Sequence, residues 1–273
     1  SHENLRARRR APYCILTTQV PPNAYHLSLL VQVVYTYCSR KVATSALDGV
    51  FVDLMTGEGF DEIDSRFGEP AAVINCAAVS QPRACEENLE RARAINVPRK
   101  LVEWLTRTFA KRPLLVQFST DHCYAGNKAF WREGDPCEPR NAYGATKVEA
   151  EQYLASHYPG CVVLRSSIIY GPEPSQAIGR SLFLQWMKSV IDPVSGEGTV
   201  DFFSDEYRSP VYVRDIAALV GKLVASYGGG DLAGRRSRST AASPSLAGKL
   251  EIYNLGGPDR LSRYDMALLL ASA

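Results

Sequence analysis

The run Leu114-Leu115-Val116-Gln117-Phe118 constrains the fold more than any other stretch of the chain. It is too short for a stable helix, is mostly apolar, and ends in two hydroxyls, Ser119 and Thr120. A run of that length is expected as a strand buried on both faces, which is the habit of strands in parallel sheets. It sits between two helical stretches. Glu86–Leu105 reads as one long amphipathic helix, and a second helix opens at Tyr143, with Val148, Ala150, Tyr153 and Leu154 at helical spacing. Other short apolar runs lie at Val33–Tyr37, Val50–Leu54, Ala72–Asn75, Cys161–Arg165 and Glu251–Leu255, with a short helix expected at Phe60–Phe67. Strands alternating with helices predict an α/β protein built on a doubly wound parallel sheet.

The helix that follows the central run carries a chemical pattern. Tyr143 and Lys147 stand at i and i+4, so phenol and ammonium share one face, with Cβ atoms roughly 5–6 Å apart. A neighbouring cation favours phenolate, which makes a tyrosine a usable proton donor and acceptor at neutral pH. Thr120, at the C-terminal end of its strand, is placed to hold a carbonyl oxygen beside that phenol. Tyr-x-x-x-Lys alone carries little weight, since Tyr37/Lys41 and Tyr124/Lys128 match it as well. Only Tyr143/Lys147 opens a helix after a strand that ends in hydroxyls.

Three segments, STDHCYAG, EPRNAYGATKVEAE and VVLRSSIIYGP, resemble consecutive signatures of the extended short-chain dehydrogenase/reductase family. The branch they resemble is that of dTDP-4-dehydrorhamnose reductase, which also contains the regulatory beta subunit of methionine adenosyltransferase. The similarity runs from about Val33 to Ala267. It implies a Rossmann-like fold with a smaller C-terminal substrate lobe, Thr120, Tyr143 and Lys147 as a catalytic triad, and an NAD(P) cofactor.

The same resemblance distributes further roles. Ser39 and Arg40 follow the strand at which the adenosine ribose is read. An acid there suits a 2′-hydroxyl, whereas the basic pair Arg40-Lys41 suits a 2′-phosphate, so NADP(H) is expected rather than NAD(H). Asp53 and Leu54 are expected beside the adenine. Cys76, Ala77 and Ala78 provide small residues where backbone meets cofactor, and Ser166–Pro172, with Ile169, is expected to line the nicotinamide side. Arg208 precedes a lobe strand at the place where relatives reach a substrate phosphate. Asn96 reads as structural, and Asp215 as a helix cap.

One departure is large. The fold normally opens with a strand and a glycine-rich loop whose backbone meets the pyrophosphate at a helix N-terminus. This chain has no glycine before Gly49, so that loop is missing. PYCILTTQV could stand in for the first strand, but PPNA after it lacks donors and resists positive φ.

The expected organisation is an atypical N-terminal segment (1–32), a nucleotide-binding domain (33–165) and a substrate lobe (166–273) with a Gly/Ser/Arg-rich mobile loop at 228–249. LRARRRAP, with no acid between Glu3 and Asp48, reads as a basic arm, a non-native start or an organellar targeting segment. A net charge of +2 gives no commitment to nucleic acid. Seven scattered cysteines without C-x-x-C or metal-ligand spacing point to reduced thiols, no metal and a cytoplasmic setting, and no apolar stretch is long enough to span a membrane.

Two functions are therefore expected from this sequence. One is an NAD(P)H-dependent reductase of a keto group on a nucleotide sugar. The other is a non-catalytic regulatory subunit that docks on the methionine adenosyltransferase catalytic subunit.

Overall fold

The computed structural model describes residues 15–19, 32–38, 48–172, 182–191, 199–227, 246 and 248–272. Ser39, Arg40 and Lys41, residues 1–14 and most of the 228–249 loop lie outside them. In chain order the elements are β1 (Ile15–Gln19), β2 (Gln32–Tyr37), β3 (Asp48–Phe51), α1 (Phe60–Phe67), β4 (Ala72–Asn75), α2 (Pro82–Glu87), α3 (Leu89–Asn96), α4 (Arg99–Thr108) and β5 (Leu114–Thr120). A 3-10 turn at Asp121–Cys123 leads to α5 (Ala142–His157), β6 (Val162–Ser166), β7 (Ile169–Tyr170), α6 (Phe183–Ile191), β8 (Tyr207–Arg208) and β9 (Val211–Tyr212). Then come α7 (Val213–Tyr227), β10 (Glu251–Leu255), β11 (Leu261–Ser262) and α8 (Arg263–Ala271).

Seven strands form one sheet in the order β10-β6-β5-β4-β1-β2-β3. The pairs β2–β3, β4–β5, β5–β6 and β6–β10 are parallel, which gives the expected α/β, Rossmann-like sheet. One strand departs from it. β1 runs antiparallel to both its neighbours, with Gln19 opposite Gln32 on β2 and Ile15 opposite Asn75 on β4. The chain therefore leaves β1 at the sheet edge away from Asn75, Thr120 and Ser166. Antiparallel neighbours can be joined by a short connection, whereas parallel ones need a crossover.

The two sheet faces are covered unequally among the described residues. One packs α1, α3, α4 and α5 over β2, β3, β4 and β5, burying Ile63, Ile95, Leu105 and Leu154 against Val34, Val50, Val73 and Leu115. Trp104 of α4 stacks on Phe60 of α1 at 4.8 Å between centroids and is 2% exposed. Burial of an indole of that size is worth on the order of 4–6 kcal/mol. The other face carries α7, whose Leu223 and Val224 pack on Ile74, Val116 and Leu164. A smaller cluster around Met187 and Met266 joins α6 to α8. After Ser166 the chain does not stay in this smaller body: α7 and β10 return to the main sheet.

Some boundaries differ from those expected. The stretch Glu86–Leu105 lies across α2, α3 and α4 rather than in one helix. Asn88, at φ −150 and ψ 80, ends α2 and caps α3 by accepting from the Arg91 N–H at 3.0 Å. Pro98, with no N–H to give, precedes α4. The strand expected at Val50–Leu54 runs Asp48–Phe51, because the chain turns at Leu54–Thr56. Asp215 lies in the first turn of α7, which begins at Val213.

Candidate functional site

β4, β5 and β6 end side by side, at Asn75, Thr120 and Ser166, and the N-terminus of α5 lies over them. Asn141 starts that helix: its Oδ1 accepts from the Gly144 N–H at 2.8 Å, satisfying one of the orphan donors of the first turn. Gly144 is required here, because a Cβ would overlap the carbonyl oxygen of His122 in the 3-10 turn after β5. The close approach seats Tyr143 against that turn, its ring edge-to-face with His122 at 5.7 Å.

Tyr143, Lys147 and Glu151 follow one another on successive turns of α5. Lys147 is 2% exposed. Burial drives its pKa from 10.5 down to about 8, with Glu151 and the thiols of Cys76 and Cys85 pulling the other way. Glu151 anchors the far end of this face. It accepts from Ser119 Oγ at 2.5 Å and pairs with Arg165 through bonds of 2.7, 3.1 and 3.2 Å. Arg165 Nη1 also donates to Tyr124 Oη at 2.8 Å, and that hydroxyl donates to Asn254 Oδ1 at 2.6 Å. The ion pair is almost fully buried and fixes α5 to β5, β6 and β10.

Asn96 ties the other flank. Its Oδ1 accepts from the Val79 N–H at 2.7 Å, and its Nδ2 donates to Thr146 Oγ1 at 2.8 Å, so α3 holds both the loop after β4 and α5. Asn75 Nδ2 donates to Gln117 Oε1 at 2.8 Å between the buried ends of β4 and β5.

These elements enclose a cavity of about 1190 Å³. Its walls include Thr120, Tyr143, Lys147, Cys76, Ala78, Ile169 and Arg208 from among the sequence candidates. Asp53, Leu54 and Ala77 do not line it: Leu54 and Ala77 are packed in the core, and Asp53 accepts from the Met55 N–H at 2.8 Å. Thr120 Oγ1 accepts from the His122 N–H at 3.2 Å and so helps shape the turn. Ser167, also on the wall, has a buried Oγ with no hydrogen-bond partner among the described residues. A buried hydroxyl left unpaired is costly, and a ligand with donors or acceptors would satisfy it.

His122 and Arg263, both on the wall, were not among the sequence candidates, whereas Ser167 falls in the segment Ser166–Pro172 expected to line the nicotinamide side. Arg208 Nη1 pairs with Asp121 at 2.6 Å, while Nη2 lies 2.5 Å from His122 Nε2. Arg263 makes two bonds of 2.7 Å to Glu206, whose carboxyl is held below its usual pKa by that arginine. Among the described residues no group of three His, Cys, Asp or Glu side chains could hold a metal, and no helix is long and apolar enough to cross a membrane.

A family profile described as the RmlD substrate binding domain matches residues 36–272. A probable dTDP-4,6-dihydroxy-2-methyloxan-3-one 4-ketoreductase of Streptomyces antibioticus is 32% identical over 151 residues, 54% of this chain and 48% of that protein. Methionine adenosyltransferase 2 subunit beta of Xenopus tropicalis is 28% identical over 208 residues, 75% of this chain and 55% of that one. The chain thus spans about half the length of these curated relatives. Among solved structures, dTDP-4-dehydrorhamnose reductase of Bacillus anthracis in complex with NADP superimposes with a TM-score of 0.64 at 20% identity, over 85% of this chain and 74% of that one.

Proposed function

The chain belongs to the RmlD substrate-binding domain family, and from that premise we propose that it is a nicotinamide-dependent reductase of a keto group on a nucleotide-linked sugar. The observation that carries the reading is the shared cavity wall of Thr120, Tyr143 and Lys147, at the C-terminal ends of parallel strands where α/β sheets take their ligands.

The residues present fit the nicotinamide–ribose end of a dinucleotide. Lys147 and the unpaired Ser167 hydroxyl offer it hydrogen bonds, and Ile169 offers an apolar wall. When bound, the nicotinamide supplies the hydride. Tyr143 gives its proton to the carbonyl oxygen, and Thr120 orients that oxygen by a hydrogen bond. Lys147 stabilises the resulting phenolate and holds the ribose hydroxyls. Arg208 takes the substrate phosphate. The sequence has no glycine before Gly49 and β1 runs antiparallel to its neighbours, so in this reading affinity for the cofactor rests on the Lys147 end of the cavity. The choice of NADP(H) over NAD(H) rests on Arg40 and Lys41. A cytoplasmic setting is part of the same reading.

The test is titration with NADPH and NADH, then assay of reduction of dTDP-4-dehydrorhamnose. Micromolar binding that is lost in Lys147→Ala supports the reading, and no binding at millimolar cofactor overturns it.

The reversed β1 favours a second reading. It is a regulatory subunit that keeps the fold as a docking body for the methionine adenosyltransferase catalytic subunit, as the name of the Xenopus relative suggests. Co-purification with that subunit, in a chain that fails to bind either cofactor, would select it.

A further inference from the structure

The chain between Cys123 and Cys137 folds back on itself, and contacts on both sides of this pair hold its ends together. On one side Tyr124 stacks on Trp131 at 4.9 Å between ring centroids. The chain then reverses at Arg132–Asp135, where the Asp135 N–H donates to the Arg132 carbonyl at 3.0 Å. On the other side His122 Nδ1 lies 2.9 Å from Asn141 Nδ2. A Cβ on Gly144 would touch both the His122 carbonyl and Pro139 Cβ, so those two groups are close as well. His122 and Tyr124 are thus each held against the returning segment, with Cys123 between them and Cys137 between their partners. The two thiols meet there: the Cys123 S–H donates to Cys137 Sγ. Both are free thiols in this structure, and neither lines the cavity.

We propose that Cys123 and Cys137 form a redox-modification site, oxidised to an intramolecular disulfide by a small disulfide of the oxidised-glutathione class. The two thiols have different roles. Cys137 is half-buried, whereas Cys123 is 0% exposed. Their hydrogen bond favours thiolate at Cys137 and disfavours it at Cys123. The Cys137 thiolate therefore attacks first, because the thiolate is the nucleophile and access decides which one reacts. Its sulfur bonds to one sulfur of the oxidant, and the other leaves as a thiolate that takes up the proton Cys137 lost. Cys123 then gives up its proton and attacks the Cys137 sulfur, which forms the internal bond and releases the second small thiol. Both protein thiols are oxidised, by two electrons in total, and one small disulfide is reduced to two thiols. Burial raises both protein thiols above their ordinary pKa, so the exchange is slow at neutral pH and quickens toward alkaline pH.

The bond closes a ring of 15 residues, Cys123 to Cys137. The far side of that ring grips β10: the Trp131 carbonyl accepts from Asn254 Nδ2 at 3.1 Å, and Glu133 Oε1 accepts from the Asn254 N–H at 2.8 Å. Its near side ties the turn that carries His122 to the segment entering α5. Cross-linking a loop of this length restricts the unfolded chain and shifts the folding equilibrium by about a hundredfold toward the folded state. The site needs neither cofactor nor turnover, so NADPH titration of the reduced chain tests the reductase reading separately.

The test is incubation of the full chain with oxidised glutathione under native conditions at about pH 8.5, followed by digestion without reductant and mass spectrometry. Cys76, which is exposed, serves as the control: its glutathione adduct shows that the oxidant was active. The expected product is a pair of peptides joined through Cys123 and Cys137, two hydrogens lighter than the sum of the parts and free of glutathione at both positions. Cys123→Ala should trap glutathione on Cys137, and Cys137→Ser should leave Cys123 unmodified. The urea midpoint should rise on oxidation of the parent chain and stay fixed in either variant; where Cys123→Ala does not fold, Cys137→Ser carries the comparison. Glutathione retained on Cys137 of the parent chain overturns the proposal. So does a bond from either thiol to another cysteine, or a parent chain in which both thiols stay free after Cys76 has reacted.

Discussion

Gly144 lies against the backbone carbonyl of His122, and this contact fixes how far the Tyr143 end of α5 can approach the strand ends beneath it. Neither partner can yield cheaply, since one is helix backbone and the other is the turn that follows Thr120. Gly144→Ala is therefore expected to cost about 1–3 kcal/mol by overpacking, against the usual gain of Ala over Gly within a helix. Urea denaturation measures it. A variant as stable as the parent would mean that the turn moves freely.

Glu151 and Arg165 are expected to behave as a unit. Glu151→Gln or Arg165→Met alone leaves a buried charge without its partner and should cost on the order of 3–5 kcal/mol. Glu151→Leu with Arg165→Met should cost clearly less than the sum of the two single changes. A double-mutant cycle by chemical denaturation checks it, and additive costs would refute the coupling.

Lys147 gives a pH dependence whose sign runs against the usual lysine case. Its folded pKa, about 8, lies below the ordinary 10.5. Between these values the unfolded chain holds more protons at this site, so stability rises with pH across that window. Below about pH 8 the destabilisation is at full value, on the order of 3 kcal/mol. Lys147→Met should therefore be more stable than the parent at neutral pH, with the gap closing as pH approaches 10. Equal stability at both pH values would show that the ammonium is better solvated than its burial suggests.

Asn96 is expected to be structural. Asn96→Leu strands the Val79 N–H and removes the N–H that Thr146 Oγ1 accepts, and should cost about 2–4 kcal/mol. Thermal unfolding together with NADPH titration separates the outcomes. Lowered stability with unchanged affinity is expected, and lost affinity at unchanged stability would make Asn96 a ligand.

What the sequence disclosed was mostly periodic. Leu114–Phe118 falls within β5, and the helix bearing Tyr143 and Lys147 is α5, because apolar spacing reports which faces are buried. The breaks inside Glu86–Leu105 were missed because Asn88 and Pro98 act through local backbone geometry that a helical hydrophobic pattern overrides on paper. The direction of β1 was not legible at all, since a strand reads the same in either sense. His122 and Arg263 gave no signal: a lone charged or imidazole side chain acquires meaning only from what the fold sets opposite it. Glu151 and Arg165 were invisible for the same reason, being fourteen positions apart on different elements.

The reversed strand has a further consequence for how the molecule is held together. Among the described residues, β2–β3 and β4–β5–β6–β10 share no ladder except through β1, although α1 and α4 bridge the two halves from one face. β1 is thus a five-residue splint inserted between two otherwise complete ribbons. Such a strand is open to replacement. A synthetic peptide covering Ile15–Gln19 could complement a chain from which those residues have been deleted, and a second molecule could lend its own copy across a swapped dimer.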